Sequence, residues 1–182
     1  MHHAGNKVLA ALVLTLGAVG CSSTHETLSA TSGVYDLTVA GERDACSPTR
    51  LTGPMGTAGV VSHGALLTLA VPDLVSNTPM LLALNSATGY ADERTDTLAP
   101  CTGATLARGY SVISTSASGI DVAYHESWSG MSTCGAAMRA IMPAAPSADC
   151  SADLVLHYRL ATTCAAPCQI LVTADGATAC HC

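Results

Sequence analysis

Phenylalanine is absent from the 182 residues, Trp128 is the single tryptophan, and aromatic residues make up 3% of the chain. A core must therefore be built from Val, Leu, Ile and Ala, with five Tyr supplying nearly all of its large rings. Functions that need an aromatic platform, such as stacking on single-stranded nucleic acid, are disfavoured. Positive charge is equally scarce. Lys7 is the only lysine, there is no basic cluster, and the formal net charge is −6, so the means of holding a phosphate backbone are missing and no nucleic-acid partner is expected. Charged residues amount to 11%, too few for a coiled coil or a charged disordered tail, while 49% from the hydrophobic set is enough for a packed domain.

No apolar run reaches the ~20 residues that a transmembrane helix needs. Val8 to Val19 (VLAALVLTLGAV) is an uninterrupted stretch of twelve after a short segment carrying Lys7, the length and flank of a secretory signal peptide. Ala18-Val19-Gly20 would suit ordinary signal peptidase. Leu16-Gly17-Ala18-Val19-Gly20-Cys21 also resembles the lipobox of bacterial lipoproteins, with Ala18 at the position where that family usually has Leu. The resemblance covers about twenty residues and implies cleavage before Cys21 and acylation of that cysteine. It divides the chain into a signal peptide (1–20), a lipidated Cys21 with a Ser/Thr-rich tether (21–32), and a single domain over 33–182.

Cysteine parity supports lipidation. Nine cysteines leave one thiol over, and removing Cys21 leaves Cys46, Cys101, Cys134, Cys150, Cys164, Cys168, Cys180 and Cys182 for four disulfides in an oxidising compartment. A Cys134–Cys150 bridge around Pro143 and Pro146 and a Cys46–Cys101 bridge are expected. The C-terminal four are expected to pin the chain end, with Cys182 returning to Cys168. The competing zinc reading of Cys164, Cys168, Cys180, His181 and Cys182 suffers from spacings of three and one residues where zinc ribbons use two, and no metal is expected. Without residues 1–20 the charge becomes 6 − 13 = −7.

Within the domain the hydrophobic period is two. Tyr35, Leu37 and Val39 alternate with Asp36 and Thr38; Leu67, Leu69 and Val71 with Leu66, Thr68 and Ala70. Val122, Tyr124 and Trp128 alternate with Asp121, Ala123, His125 and Ser127. Leu154, Leu156, Tyr158 and Leu160 stand against Asp153, His157 and Arg159. Turn signals at Ser62-His63-Gly64, Thr88-Gly89, Ser118-Gly119 and Asp175-Gly176 separate the runs. The pattern predicts an all-β fold, an antiparallel meander forming a small disulfide-stapled barrel or sandwich. One short helix is expected within Cys134 to Met142, ended by Pro143.

Catalytic patterns are lacking. His125-Glu126 opens like H-E-x-x-H, but Ser129 occupies the last position, and no G-x-S-x-G elbow exists. Asp92, Glu93 and Asp96 beside Arg94 read as a solvated loop without calcium-loop spacing. His63, His125 and His157 read as surface residues, and His25 and His181 are scattered from them along the chain. No catalytic residue, cofactor or enzymatic activity is expected.

The leader and the cysteine habit resemble the small Cys-rich lipoproteins of high-GC bacteria such as myxobacteria. That resemblance implies a cell-envelope location, periplasmic or cell-surface, and a membrane contact through the lipid anchor. The expected role is non-enzymatic, by contact with an envelope protein or as structure. The alternatives are a lipocalin-like binder of a small apolar ligand and a periplasmic hydrolase inhibitor, with Asp92 to Thr97 or Pro143 to Ala148 as its exposed loop.

Overall fold

Alternating side chains make each strand two-faced, and the strands solve this by wrapping one face inward. The computed structural model describes residues 28–72, 79–99, 101–165, 169–172 and 178–181. Eight strands form one antiparallel sheet: β1 (Gly33–Asp44), β2 (Gly53–His63), β3 (Leu66–Pro72), β4 (Pro79–Asn85), β5 (Ala91–Thr97), β6 (Thr105–Ser116), β7 (Gly119–Ser129) and β8 (Cys150–Thr163). Their order, β4-β3-β2-β1-β8-β7-β6-β5, consists of two four-stranded meanders joined where β1 pairs with β8. A 3-10 turn, Ser86–Thr88, carries β4 into β5 and brings the sheet's two edges together, so the result is a nearly closed barrel. At that turn Asn85 accepts a hydrogen bond from the Thr88 amide, Gly89 takes φ 64°, and Tyr90 accepts at its carbonyl from the Val112 amide on β6. That bond extends the β5–β6 ladder by one rung, while the Tyr90 amide donates to the Asn85 carbonyl at 2.9 Å and so joins the start of β5 to the end of β4.

Eight strands leave an interior that side chains can fill. Tyr35, Leu37 and Val39 from β1, Leu67, Leu69 and Val71 from β3, Val122 and Tyr124 from β7, and Leu154, Leu156 and Tyr158 from β8 are all buried there. The Tyr110 and Tyr124 rings lie 5.0 Å apart, and the Tyr158 hydroxyl donates to the Ala70 carbonyl at 3.2 Å. Tyrosine thus does the volume-filling that Phe would do elsewhere, and each buried hydroxyl named here has a partner.

One end of the barrel is closed by a second apolar cluster. The connection between β7 and β8 contains the expected short helix, α1 (Gly135–Ile141), which stops before Pro143. Met131, Met138 and Ala145 from this connection pack with Trp128, Leu98, Leu106 and Ala152. Two disulfides hold the cap, and their pairing corrects the sequence expectation: Cys46 bonds Cys150, with Cα atoms 5.1 Å apart, and Cys101 bonds Cys134, at 5.9 Å. The reason is the β1–β8 pairing, which runs on past Asp44↔Ala152 to an Ala45 amide bond with the Ser151 carbonyl and so sets Cys46 beside Cys150. Proximity along the chain had suggested Cys134 for Cys150 instead.

The last two strands, β9 (Gln169–Val172) and β10 (Thr178–His181), form the expected antiparallel hairpin, and Cys164 bonds Cys180 with Cα atoms 5.6 Å apart. These three disulfides fit an oxidising, non-cytoplasmic location. Cys168 and Cys182 lie outside the described residues, as does Cys21. At the barrel end opposite the cap, Leu28 and Ala30, inside the expected tether, pack against the core, and Ser32 exchanges hydrogen bonds with the Ser62 backbone. No described helix is long and apolar enough to cross a membrane.

Candidate functional site

The outward faces of β5, β6, β7, β8 and β1 carry most of the chemistry. Antiparallel register sets Glu93, Gly109, His125, Asp153 and Arg43 in one row across these five strands. His125 Nδ1 lies 2.6 Å from Asp153, whose other oxygen pairs with Arg43. Four residues along, β7 and β8 repeat the arrangement with the types exchanged: His157 Nδ1 is 2.8 Å from Asp121, which also accepts from Ser114 at 2.6 Å and Arg159 at 2.8 Å. Partial burial pushes the Asp121 carboxyl up, but these three donors outweigh it and hold it down at about 2. Asp153 is held below the ordinary carboxylate range, chiefly by its bond to His125.

Between the two rows runs a line of small residues, Ala91, Ser111 and Ala123. With Gly109 they floor an open depression of about 260 Å³, rimmed by Glu42, Glu93, His125 and Asp153. Small side chains on an outward strand face produce a hollow because neighbouring long ones rise around them. The depression brings together a hydroxyl, an imidazole and a carboxylate at Ser111, His125 and Asp153. Among the described residues no hydrogen bond joins Ser111 to His125.

No family model, no curated protein and no solved structure matches this chain.

The expected surface histidines lie outward, but His125 and His157 are each bound to a carboxylate, a partnership that cross-strand register creates and sequence spacing conceals. Asp92, Glu93, Arg94 and Asp96 form strand β5 and not a loop, with Arg94 bonded to Asp92 and Arg108 to Asp96. The second expected loop, Pro143 to Ala148, is tied into the cap through buried Ala145 and Pro146.

One buried group escaped the sequence reading. Glu126 is fully buried on β7 between Tyr124 of the barrel core and Trp128 of the cap core. One of its oxygens accepts from Arg50 Nε and, at 3.0 Å, from Trp128 Nε1; the other accepts from the Tyr124 hydroxyl at 2.7 Å. Arg50 in turn donates to the Pro48 and Ala144 carbonyls and stacks over Trp128 at 5.6 Å. Burial, reinforced by the neighbouring Glu126 charge, pushes the Tyr124 phenol well above its ordinary range. The signal was present: in a run that points Val122, Tyr124 and Trp128 inward, Glu126 shares their parity.

Proposed function

We propose that this chain is a lipid-anchored envelope protein whose barrel works by contact with another protein through its outer wall, without catalysis. The observation that carries this reading is the filled interior. Tyr35, Val60, Leu67, Leu69, Leu82, Leu84, Ile120, Val122 and Tyr158 show 0% exposure, and a ligand cavity bordered by them would leave accessible surface on its lining. An apolar guest therefore has no room among these residues, which weighs against the lipocalin-like alternative although the barrel shape is compatible with it. Of the two loops of the inhibitor alternative, Asp92 to Thr97 is strand β5, and Pro143 to Ala148 is a connection with Ala145 and Pro146 buried and Pro143, Ser147 and Ala148 exposed. What remains is the wall, whose depression of about 260 Å³ presents Glu42, Glu93 and Asp153 beside His125. Such a surface suits a partner offering a basic side chain over small, tightly approachable residues. Lipidation of Cys21 rests on the leader sequence, and the disulfides support export.

The test is native and intact mass spectrometry of the full chain purified from a bacterial envelope, with a photo-crosslinking residue at Ala123. The expected result is a mass showing acylated Cys21, no retained small molecule, and a discrete protein adduct lost when Glu93 is replaced by Arg. A stoichiometric small-molecule adduct would instead make the barrel a binding module.

A further inference from the structure

The charged residues of the eight barrel strands are all on β1, β5, β6, β7 and β8. β2, β3 and β4 hold no Asp, Glu, Lys or Arg, in a chain whose formal net charge is −6. Asp73, between β3 and β4, and Asp175, between β9 and β10, lie outside the described residues. The outward side chains of this neutral sector fall into two groups. Val34 and Gly59, paired across β1 and β2, and Ala70 on β3 are buried although their parity turns them away from the barrel interior. The β9–β10 hairpin accounts for this: β10 lies against β1 and β2, and β9 against β2, so the chain lays a second layer over part of its own wall. One strand further the cover stops. Leu81 on β4 is 67% exposed and Leu66 on β3 45%, with exposed Ala83 and half-buried Thr68 between them.

Two strand edges flank this shelf. Among the described residues β4 pairs with β3 alone, apart from the Asn85 carbonyl that receives the Tyr90 amide, and β9 pairs with β10 alone. β5, the other edge of the barrel sheet, is guarded by Asp92, Glu93, Arg94 and Asp96, as edge strands usually are; β4 (PMLLALN) has only Pro79 at its start.

We infer that two copies of this chain pair through the shelf, the outer faces of β3 and β4 stacked on those of the second copy about a two-fold axis that runs along the strands between them. Register decides which residues meet. Thr68 stands beside Ala83, Leu66 beside Asn85 and Ala70 beside Leu81, so the axis lays Thr68 on the second copy's Ala83 and Leu66 on its Asn85, and sets Leu81 against the edge of its hairpin, where the cover of Ala70 ends. The same rotation brings the second copy's β4 level with the hairpin, alongside the free edge of β9, and the symmetry repeats that contact. One chain therefore carries both halves of the interface: an uncovered ledge with an open strand edge, and a neutral, apolar edge strand that fits it. Charge also selects a second copy. Two acidic chains repel where their carboxylates approach within about 8 Å, the screening distance at physiological salt, and the two-fold sets neutral residues against the same neutral residues. A basic partner is drawn instead to the wall with Glu42, Glu93 and Asp153, which the pairing leaves exposed. The footprint, about three strand widths of about 4.8 Å by about 23 Å of strand, is roughly 330 Å² in projection, which places the pair among small, reversible dimers. The pairing does not rest on the lipid anchor.

Native mass spectrometry of the full chain, purified from the bacterial envelope in non-ionic detergent and diluted from roughly 200 to roughly 1 μM, tests the pairing. The expected result is a two-chain species that gives way to the single chain on dilution, with amide exchange in residues 80–85 and 169–172 at least three-fold slower at the higher concentration. Leu81→Glu, at an exposed position, should raise the dissociation midpoint about ten-fold or more, whereas Ile113→Glu, at an apolar position on β6 that is 58% exposed, should leave it unchanged. A chain carrying Thr68→Lys with Ala83→Lys, and another carrying Thr68→Glu with Ala83→Glu, should each stay single with an unaltered far-UV spectrum and form a mixed pair when combined. A single chain at the highest concentration overturns the inference. So does a pair that Leu81→Glu leaves intact, that Ile113→Glu weakens equally, or that the mixture of oppositely charged chains fails to restore. A pair without slower exchange at 169–172 overturns the part assigned to the β9 edge.

Discussion

Arg50 and Glu126, 76 residues apart in the chain, form an ion pair at the junction of the barrel core and the cap, with side chains 1% and 0% exposed. The pair is where the two apolar clusters meet, and its hydrogen bonds reach both: Tyr124 below, Trp128 and the Ala144 carbonyl above. A charge taken out of water is costly unless its partners are in place, so this junction ties the correct seating of the cap to the correct closure of the barrel.

Arg50→Ala should accordingly destabilise by about 3–5 kcal/mol, because it leaves a buried carboxylate without its counter-ion. The double change Arg50→Met with Glu126→Gln should cost less than the sum of the two single changes. Urea unfolding of the four chains measures the coupling, and strict additivity would mean that the two side chains act independently.

Acid should weaken the wall before it weakens the core. Asp121 titrates at about 2 in the folded chain against 3.8 for an ordinary aspartate. A depressed carboxyl contributes stability that is fully present above the unfolded value and is lost as pH falls through the folded one, here between about pH 4 and 2. Asp121→Asn should flatten that part of the stability curve and cost about 1 kcal/mol at pH 6, where the Asp121 carboxylate is ionised and paired with Arg159. Thermal melts at half-unit pH intervals provide the comparison, and an unchanged slope would refute the assignment.

The disulfides should differ in weight. Replacing both Cys46 and Cys150 by Ser opens a constraint across 104 residues, worth about 4–5 kcal/mol by loop entropy, whereas the Cys164–Cys180 bridge spans 16 and is worth about 3 kcal/mol. Non-reducing peptide mapping should recover Cys46 linked to Cys150 and Cys101 linked to Cys134. Recovery of Cys46 with Cys101 would require a different seating of the cap.

Gly130, at the turn from β7 into the cap, has φ 73°, and an added Cβ would lie 2.4 Å from the Gly103 carbonyl oxygen. Gly130→Ala should cost roughly 2–3 kcal/mol or more, since the backbone is strained and the neighbour is backbone too. Gly64→Ala, also at positive φ (59°) but with nothing within 4 Å, should cost only about 1 kcal/mol. Equal losses at the two sites would show that strain alone is responsible.

The sequence by itself determined the strands and their inward faces, because a period of two is a local property: Tyr35, Leu37, Val39, Leu154, Leu156 and Tyr158 are buried as their alternation demands. It also determined the short helix before Pro143 and the disulfide-bonded character of the domain. Which strands become neighbours is not local. The β1–β8 pairing, between segments more than a hundred residues apart, decided that Cys46 meets Cys150, and the β7–β8 register decided that His125 and His157 meet Asp153 and Asp121. Asp92 to Thr97 carries no hydrophobic alternation, and it became a strand through its pairing with β6. Glu126 shows the division most sharply. Its parity could be read from β7 alone, and the period of two itself sets Tyr124 and Trp128 on either side of it, but a carboxylate is tolerated inside only because the fold also delivers Arg50 from 76 residues away, and only tertiary structure supplies that partner.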